Sequence, residues 1–233
     1  RHHGTIPIVL ASSCGSLCRR SEAVIEAIFF DFDGVIMDSM ALKLDSYAHA
    51  LRDYEFDRDD ISRIMAQHMG TSRRKILVEM YRELKGEVMP ADSFARALQD
   101  FNAQDAASVP RMPFVPGSLE FIKSIHRDRF TAVVTGTPHD VIQDTARYHG
   151  LTSYFDVIRG TPDAKTQIVS EELKRHSLNP ERSIFIGDGL ADQRAADNCG
   201  MRFVGVRGEF SSFEPESAWM VVNDLNEIEV EAE

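Results

Sequence analysis

Four aspartates stand just beyond apolar runs of the sequence. Asp31 and Asp33 follow one run, Asp188 follows another, and Asp192 lies one helical turn after Asp188. Carboxylates that converge on one spot repel one another unless a cation lies between them. Oxygen ligands of this kind suit a hard octahedral ion such as Mg²⁺, which keeps open positions for water and phosphate oxygens. The sequence therefore predicts a Mg²⁺ site built from aspartates and able to take up a phosphate group.

Apolar runs that stop abruptly at polar residues are typical of strands buried on both faces of a parallel sheet. The runs cover residues 27–30, 130–134 and 183–186, with further candidates at 155–158 and 203–206. Stretches of helical period lie between them, at residues 119–126, 141–148, 168–176 and 190–199. Strands that alternate with helices predict an α/β fold with a doubly wound, Rossmann-like parallel sheet. The carboxyl edge of that sheet would gather the aspartates with Thr135 and Gly136.

The interval between the first and second predicted strands breaks this alternation. About a hundred residues separate Asp33 from Thr135, several times what one crossover connection needs. The interval has an almost wholly helical pattern and ends in a proline-rich connector at residues 109–117. We expect an all-helical cap inserted into the core. The predicted units are a flexible N-terminal extension (1–24), the α/β core (25–39 and 113–225), the helical cap (40–112) and an acidic tail (226–233).

The polar segments also carry a family resemblance. The segments are Asp31–Ser39, Val133–Gly136, Lys165 and Gly187–Asp192. In order and spacing they resemble the four motifs of the haloacid dehalogenase (HAD) superfamily, in its subgroup with a helical C1 cap. That subgroup holds hydrolases similar to phosphoglycolate phosphatase and beta-phosphoglucomutase. The resemblance covers most of the chain, and four ordered motifs make it specific.

The resemblance implies a role for each motif residue. Asp31 would be the nucleophile and Asp33 the general acid and base. The phosphoryl group would be held by Thr135, Gly136 and Lys165. Mg²⁺ would be bound by Asp31, Asp188 and the backbone carbonyl of Asp33, with Asp192 supporting the metal site.

The presence of Asp33 favours phosphate-ester chemistry, because an alcohol leaving group needs a proton that a second carboxyl can supply. We therefore expect a Mg²⁺-dependent phosphomonoester hydrolase that acts on a small phosphorylated metabolite, of the sugar phosphate or phosphoglycolate type. Two alternatives stay open at this point. One is a beta-phosphoglucomutase-like phosphotransferase, which would share the same core motifs. The other, more distant, is a non-catalytic phospho-aspartate signalling module.

A basic run in the predicted cap is a candidate for substrate specificity. Arg73, Arg74 and Lys75 follow Ser72, which could cap a helix. The three side chains either face the active site and contact substrate or form a solvated face.

Composition limits the class of protein. The 233 residues carry 26 Lys and Arg against 37 Asp and Glu, a formal net charge of −11, which disfavours a nucleic-acid partner. No apolar stretch is long enough for a membrane span. Three scattered cysteines predict a reducing, cytoplasmic location, and we expect a monomer or weak homodimer. Whether residues 1–24 are an export signal, a tag remnant or a native extension stays open.

Overall fold

The computed structural model describes residues 8–10, 25–68 and 70–230, and these form eight strands and eight α-helices. The strands are β1 (Ile8–Leu10), β2 (Ala27–Phe30), β3 (Phe130–Pro138), β4 (Val157–Thr161), β5 (Ser183–Gly187), β6 (Arg202–Val206), β7 (Met220–Val222) and β8 (Ile228–Val230). The helices are α1 (Met40–Ala50), α2 (Arg58–Gln67), α3 (Arg73–Lys85), α4 (Ala91–Ser108), α5 (Ser118–Ile125), α6 (His139–Tyr148), α7 (Lys165–Arg175) and α8 (Leu190–Asn198).

Six strands form one sheet in the order β4-β3-β2-β5-β6-β7, and every neighbouring pair is parallel. Strand β2 lies in the middle, between β3 and β5, so the polar residues after these three strands lie side by side. Strand order reverses at this point of the sheet, which is where open α/β sheets bind their ligands. The predicted α/β fold class is confirmed.

Helices cover both faces of the sheet. In β2, Ile28 and Phe30 pack in one apolar cluster together with residues of α5 and α6. The alternate residues, Ala27 and Phe29, pack in a second cluster with residues of α7 and α8. Because side chains alternate across a strand, a strand buried on both faces must be apolar throughout. This explains why the run from Ala27 to Phe30 contains no polar residue.

Helices α1–α4 fill the interval between β2 and β3, as the helical pattern predicts. Their apolar side chains pack mainly against one another, in a cluster that includes Leu44, Ile64, Leu77 and Phe101. The start of α3 is set by Ser72, whose hydroxyl accepts a hydrogen bond from the backbone amide of Lys75. The inserted helices therefore have a core of their own.

The chain enters and leaves the inserted helices through two adjacent segments, residues 36–38 and 113–115, which we call the stalk. The backbone amide of Asp38 donates to the carbonyl of Pro113 over 2.8 Å, and that of Val115 donates to the carbonyl of Ile36 over 3.0 Å. An antiparallel bridge also joins Met37 to Phe114. Hydrogen bonds thus hold the two connections against each other.

Two segments differ from the expectation of flexible chain ends. Residues 8–10, within the predicted flexible extension, form β1, and residues 228–230, within the predicted acidic tail, form β8. The two strands pair antiparallel in a small second sheet. Both segments contain β-branched residues that favour strands, but partners this far apart in the sequence leave no local signal of pairing. The rest of residues 1–24, with Cys14 and Cys18, and residues 231–233 lie outside the described residues.

No helix in the described part of the chain combines the length and the apolar character that a membrane span requires.

Candidate active site

The segment after β2 carries Asp31 into the centre of the sheet edge. The backbone amide of Asp31 still donates to the carbonyl of Ile186 in β5, so sheet geometry fixes the position of this residue. Its Oδ1 accepts a hydrogen bond from the amide of Phe32 over 2.7 Å. The chain then turns at Gly34, which has a φ of +80°, and a Cβ there would lie 2.2 Å from Oδ2 of Asp188. Glycine therefore lets this turn pack against the carboxylate that follows β5.

Three carboxylates meet at this edge. One oxygen each from Asp31, Asp188 and Asp192 lies within 4.8 Å of the other two, and all three residues are buried. The backbone amide of Gly189 donates to Asp192 over 3.0 Å, which fixes that side chain at the start of α8. Buried carboxylates this close together carry an excess of negative charge.

The excess of negative charge is clearest at Asp188. Its Oδ1 is buried and has no hydrogen-bond partner among the described residues. Burial, and then the negative charges of Asp31 and Asp192, raise the pKa of Asp188 well above its ordinary value. An unpartnered carboxylate oxygen within a set of oxygen donors fits a hard divalent cation such as Mg²⁺. The residues present are therefore suited to hold the metal that the sequence predicts.

Lys165, the first residue of α7, supplies a positive charge to the carboxylates. Its Nζ lies 2.9 Å from Oδ2 of Asp31 and 2.5 Å from Oδ1 of Asp192. Burial disfavours the charged form, but the two carboxylates outweigh burial and raise the pKa of Lys165 above its usual range. The residue is therefore an ammonium held between two aspartates. When all three carboxylates are ionised, one ammonium leaves the cluster net negative.

Asp33 occupies a separate position and has different partners. Its Oδ1 accepts from the hydroxyl of Ser39 over 2.6 Å, and its Oδ2 accepts from Nζ of Lys43 over 2.6 Å and from the hydroxyl of Thr137 over 3.1 Å. Burial acts to raise the pKa of Asp33, but the charge of Lys43 and these hydrogen bonds hold it below its ordinary value. The two carboxyls of the first motif thus have different electrostatic environments.

Thr135 and Gly136 lie on β3, beside the turn that carries Asp31. The hydroxyl of Thr135 accepts from the amide of Thr137 over 3.2 Å. A Cβ on Gly136 would lie 2.7 Å from the backbone carbonyl of Thr71, in the segment before α3. Gly136 is therefore a position where the segment before α3 approaches the sheet edge closely.

A cavity of about 40 Å³ lies between the sheet edge and the inserted helices. Asp31, Asp33 and residues 135–137 line one side, while Lys43 and Arg73 are among the residues that line the other.

The basic run of the cap divides between two faces of α3. Arg73 is buried and lines the cavity, whereas Arg74 and Lys75 are exposed. Of the two alternatives for the basic run, the exposure of Arg74 and Lys75 favours a solvated face, and a substrate contact by these two residues stays a prediction. Arg74 stacks over the ring of Phe94, with its guanidinium carbon 5.0 Å from the ring centre.

Arg73 already has a partner for its charge. Its Nη2 lies 3.0 Å from Oδ2 of Asp105, and its Nη1 donates to the side-chain oxygen of Asn102 over 2.8 Å. The guanidinium also lies over the ring of Phe101, at 4.9 Å. These contacts join α3 to α4 inside the inserted helices. Arg73 therefore forms a buried structural ion pair with Asp105, and a substrate contact by Arg73 stays a prediction.

The structure brings together the predicted residues of all four motifs. It adds Lys43 and Thr137, which the motifs do not include, and gives a contact to Ser39, to which the first motif assigned no role. Ser39, Lys43 and Thr137 hold Asp33 and come from the start of α1 and from β3. One signal in the sequence could have found Lys43. It lies on the apolar face of α1 between Met40 and Tyr47, where a lysine would otherwise be out of place.

Comparison with known proteins agrees with this geometry. Residues 28–206 match the model of a family described as haloacid dehalogenase-like hydrolase. A phosphoglycolate phosphatase of Vibrio vulnificus is 29% identical over 216 residues, which cover 83% of this chain and 89% of that protein. A phosphorylated carbohydrates phosphatase of Thermotoga maritima is 27% identical over 191 residues, covering 78% and 85% respectively. The crystal structure of CbbY from Rhodobacter sphaeroides in complex with phosphate superposes with a TM-score of 0.74 at 23% identity, over 88% of this chain and 96% of that chain.

Proposed function

The chain belongs to the haloacid dehalogenase-like hydrolases, and we propose that it is a Mg²⁺-dependent phosphomonoester hydrolase. It acts on a small phosphorylated metabolite and passes through an aspartyl-phosphate intermediate. One observation carries this proposal. Asp31 and Asp33 line the same cavity but have separate partners, Lys165 for the first and the Ser39, Lys43 and Thr137 side chains for the second. Two carboxyls in different environments can take two different roles.

In the first half of the reaction, a carboxylate oxygen of Asp31 attacks phosphorus. A bond forms between that oxygen and phosphorus while the bond from phosphorus to the ester oxygen breaks. Asp33 must be protonated for this step, and the negative charge of a bound phosphate favours that form although Lys43 opposes it. The departing alkoxide takes this proton from Asp33 and leaves as an alcohol. The products of this half are the alcohol and a phosphorylated Asp31.

In the second half, water attacks phosphorus of the phosphorylated Asp31. Asp33, now ionised, accepts a proton from that water. The bond between phosphorus and the Asp31 oxygen breaks, which releases inorganic phosphate and restores the Asp31 carboxylate. The proton lost from Asp33 in the first half is thus recovered in the second.

The remaining motif residues bind and orient the phosphoryl group. Lys165 is a buried ammonium 2.9 Å from Asp31 and can offset negative charge on the phosphoryl oxygens. Thr135 and Gly136 offer a hydroxyl and a backbone amide on the neighbouring strand. The approach of Thr71 to Gly136 closes this region and restricts the entry of bulk water.

The metal ligands are proposed to be Asp31, Asp188 and the backbone carbonyl of Asp33, with Asp192 in a supporting position. When bound, Mg²⁺ supplies positive charge that offsets the phosphate and lets a carboxylate approach it. The unpartnered buried oxygen of Asp188 supports this assignment.

The substrate class follows from the cavity and from the relatives. The cavity lies between the sheet edge and the inserted helices, a position that favours a small substrate over a macromolecule. The Vibrio and Thermotoga relatives are named for phosphoglycolate and for phosphorylated carbohydrates. Both names support a small phosphorylated metabolite as the substrate here.

Release of inorganic phosphate from an aryl phosphate tests the proposal. We expect turnover with Mg²⁺ and none after chelation by EDTA, with recovery when Mg²⁺ is returned. Asp31→Asn removes the nucleophile, so turnover should fall by at least about 10³-fold. Asp33→Asn should instead let a phosphorylated enzyme form slowly and persist, which mass spectrometry detects. Equal rates with and without chelator, or full activity of Asp31→Asn, would contradict the proposal.

A further inference from the structure

Among the residues that the structure describes, Lys43 is the one lysine that lines the cavity. It lies in the first turn of α1, and its side chain is 14% exposed. Its Nζ donates to Oδ2 of Asp33 over 2.6 Å and to the hydroxyl of Thr137 over 3.1 Å. None of the four motifs includes this residue.

The carboxyl of Asp33 is held at both oxygens. The hydroxyl of Ser39 binds Oδ1, while Lys43 and Thr137 both bind Oδ2. We call Ser39, Lys43 and Thr137 the Asp33 anchor. A rotation of the carboxyl would break all three hydrogen bonds, and the bond from an ammonium to a carboxylate is about twice as strong as a neutral one. The anchor therefore fixes the plane and direction of the Asp33 carboxyl.

We propose that Lys43 is a positioning residue that orients Asp33 toward the ester oxygen of the substrate. The inference rests on the proposed function, because it assigns to Lys43 an effect on the proton transfer by Asp33. Lys43 acts through Asp33. It is distinct from Lys165, whose ammonium contacts Asp31 and Asp192.

The chemistry gives this role a specific signature. An alkyl phosphate releases a basic alkoxide that needs a well-placed proton donor, whereas an aryl phosphate releases a phenolate that leaves without one. A misdirected Asp33 should therefore slow the hydrolysis of alkyl phosphates much more than that of aryl phosphates. A general loss of structure or of phosphate binding would slow both to the same extent.

The test compares Lys43→Met with wild type in the full chain with Mg²⁺, using glycerol 2-phosphate as the alkyl phosphate and p-nitrophenyl phosphate as the aryl phosphate. We expect kcat/KM to fall by about tenfold to a hundredfold for the alkyl phosphate and by less than about threefold for the aryl phosphate. Ser39→Ala should show the same selective loss. It removes one hydrogen bond of the anchor without changing any charge, so it separates orientation from electrostatics.

Controls keep the outcomes distinct. Lys123→Met replaces an exposed lysine in α5 and should leave both rates unchanged. Thermal unfolding establishes that each variant is folded, and Ser39→Ala carries the test if Lys43→Met is not. Equal losses for both substrates, no loss, or a selective loss in Lys43→Met without one in Ser39→Ala would overturn the inference. Failure of the wild type to hydrolyse either phosphate would instead overturn the proposed function.

Discussion

Replacing Asp188 with asparagine should stabilise the metal-free protein while it abolishes metal-dependent activity. Asp188 is buried, and its Oδ1 lacks a hydrogen-bond partner among the residues described. Carboxylate oxygens of Asp31 and Asp192 lie no more than 4.8 Å from it. Asparagine keeps the shape of the side chain but removes its negative charge. The variant therefore relieves repulsion that a bound cation would relieve in the wild type.

The size of this effect can be bounded from two sides. At 4.8 Å and an effective dielectric constant of about 20, two carboxylates repel by about 3.5 kcal/mol. Attraction to Lys165 offsets part of that repulsion. The free-energy cost of keeping Asp188 ionised in the folded protein cannot exceed the cost of protonating it instead. Protonation costs about 4 kcal/mol at pH 7 for a group with an ordinary pKa of 3.8. We expect Asp188→Asn to raise the free energy of unfolding by about 1–4 kcal/mol, or the Tm by about 2–4 °C per kcal/mol.

The increase in the free energy of unfolding caused by Asp188→Asn should also depend on pH. The pKa of Asp188 is raised in the folded protein, so the folded state binds its proton more tightly than the unfolded chain does. The ionised residue therefore destabilises the fold as pH rises above 3.8, and below that value both states are protonated. The advantage of Asp188→Asn should be largest near pH 7 and should shrink toward pH 4.

Urea unfolding in EDTA and in excess Mg²⁺ measures these effects. In EDTA the variant should unfold at higher urea than wild type. Mg²⁺ should stabilise the wild type but leave the variant unchanged, because binding to the folded state alone adds stability. Asp197→Asn, at an exposed position in α8, is the matched control. If Asp188→Asn is less stable than wild type in EDTA, the repulsion argument is wrong.

The other predictions concern the inserted helices. Gly136→Ala would place a Cβ 2.7 Å from the carbonyl of Thr71, so the segment before α3 must move away. We expect kcat/KM for phosphate release to fall by about 10²-fold. Kinetics equal to those of the wild type would contradict the close approach. Arg73→Met leaves Asp105 as an unpaired buried charge and should lower the free energy of unfolding by about 3–5 kcal/mol. Arg74→Met, which loses only an exposed stacking contact, should cost about 1 kcal/mol or less, and urea unfolding of both variants together checks the difference.

The aspartates of the site were predictable from the sequence because of a property of parallel sheets. Each of Asp31 and Asp188 ends an apolar run, and the carboxyl ends of adjacent parallel strands lie at one edge. The periodicity of α3 could also have predicted that Arg73 is buried and Arg74 is exposed. Ser72 caps the helix, and position 73 then shares a face with buried residues three, four and seven positions later.

The Asp33 anchor was harder to predict because its parts come from different elements. Thr137 lies 104 positions from Asp33, and the contact depends on how α1 is rotated against β3. Periodicity places a residue on a face of a helix but does not say which polar group it meets there. The pairing of β1 with β8 was hard to predict for the same reason, because tertiary structure alone brings these two short segments together.

The stalk has a consequence for how this protein could acquire new specificity. Because its two segments are hydrogen-bonded at Asp38 and Pro113, the ends of the inserted helices are held side by side whatever lies between them. The entropy of closing such a loop grows only with the logarithm of its length. Helices can therefore be lengthened, shortened or exchanged as a module with little strain on the sheet. Such changes can reshape the side of the cavity that faces the inserted helices, provided that Lys43 in α1 keeps its contact with Asp33.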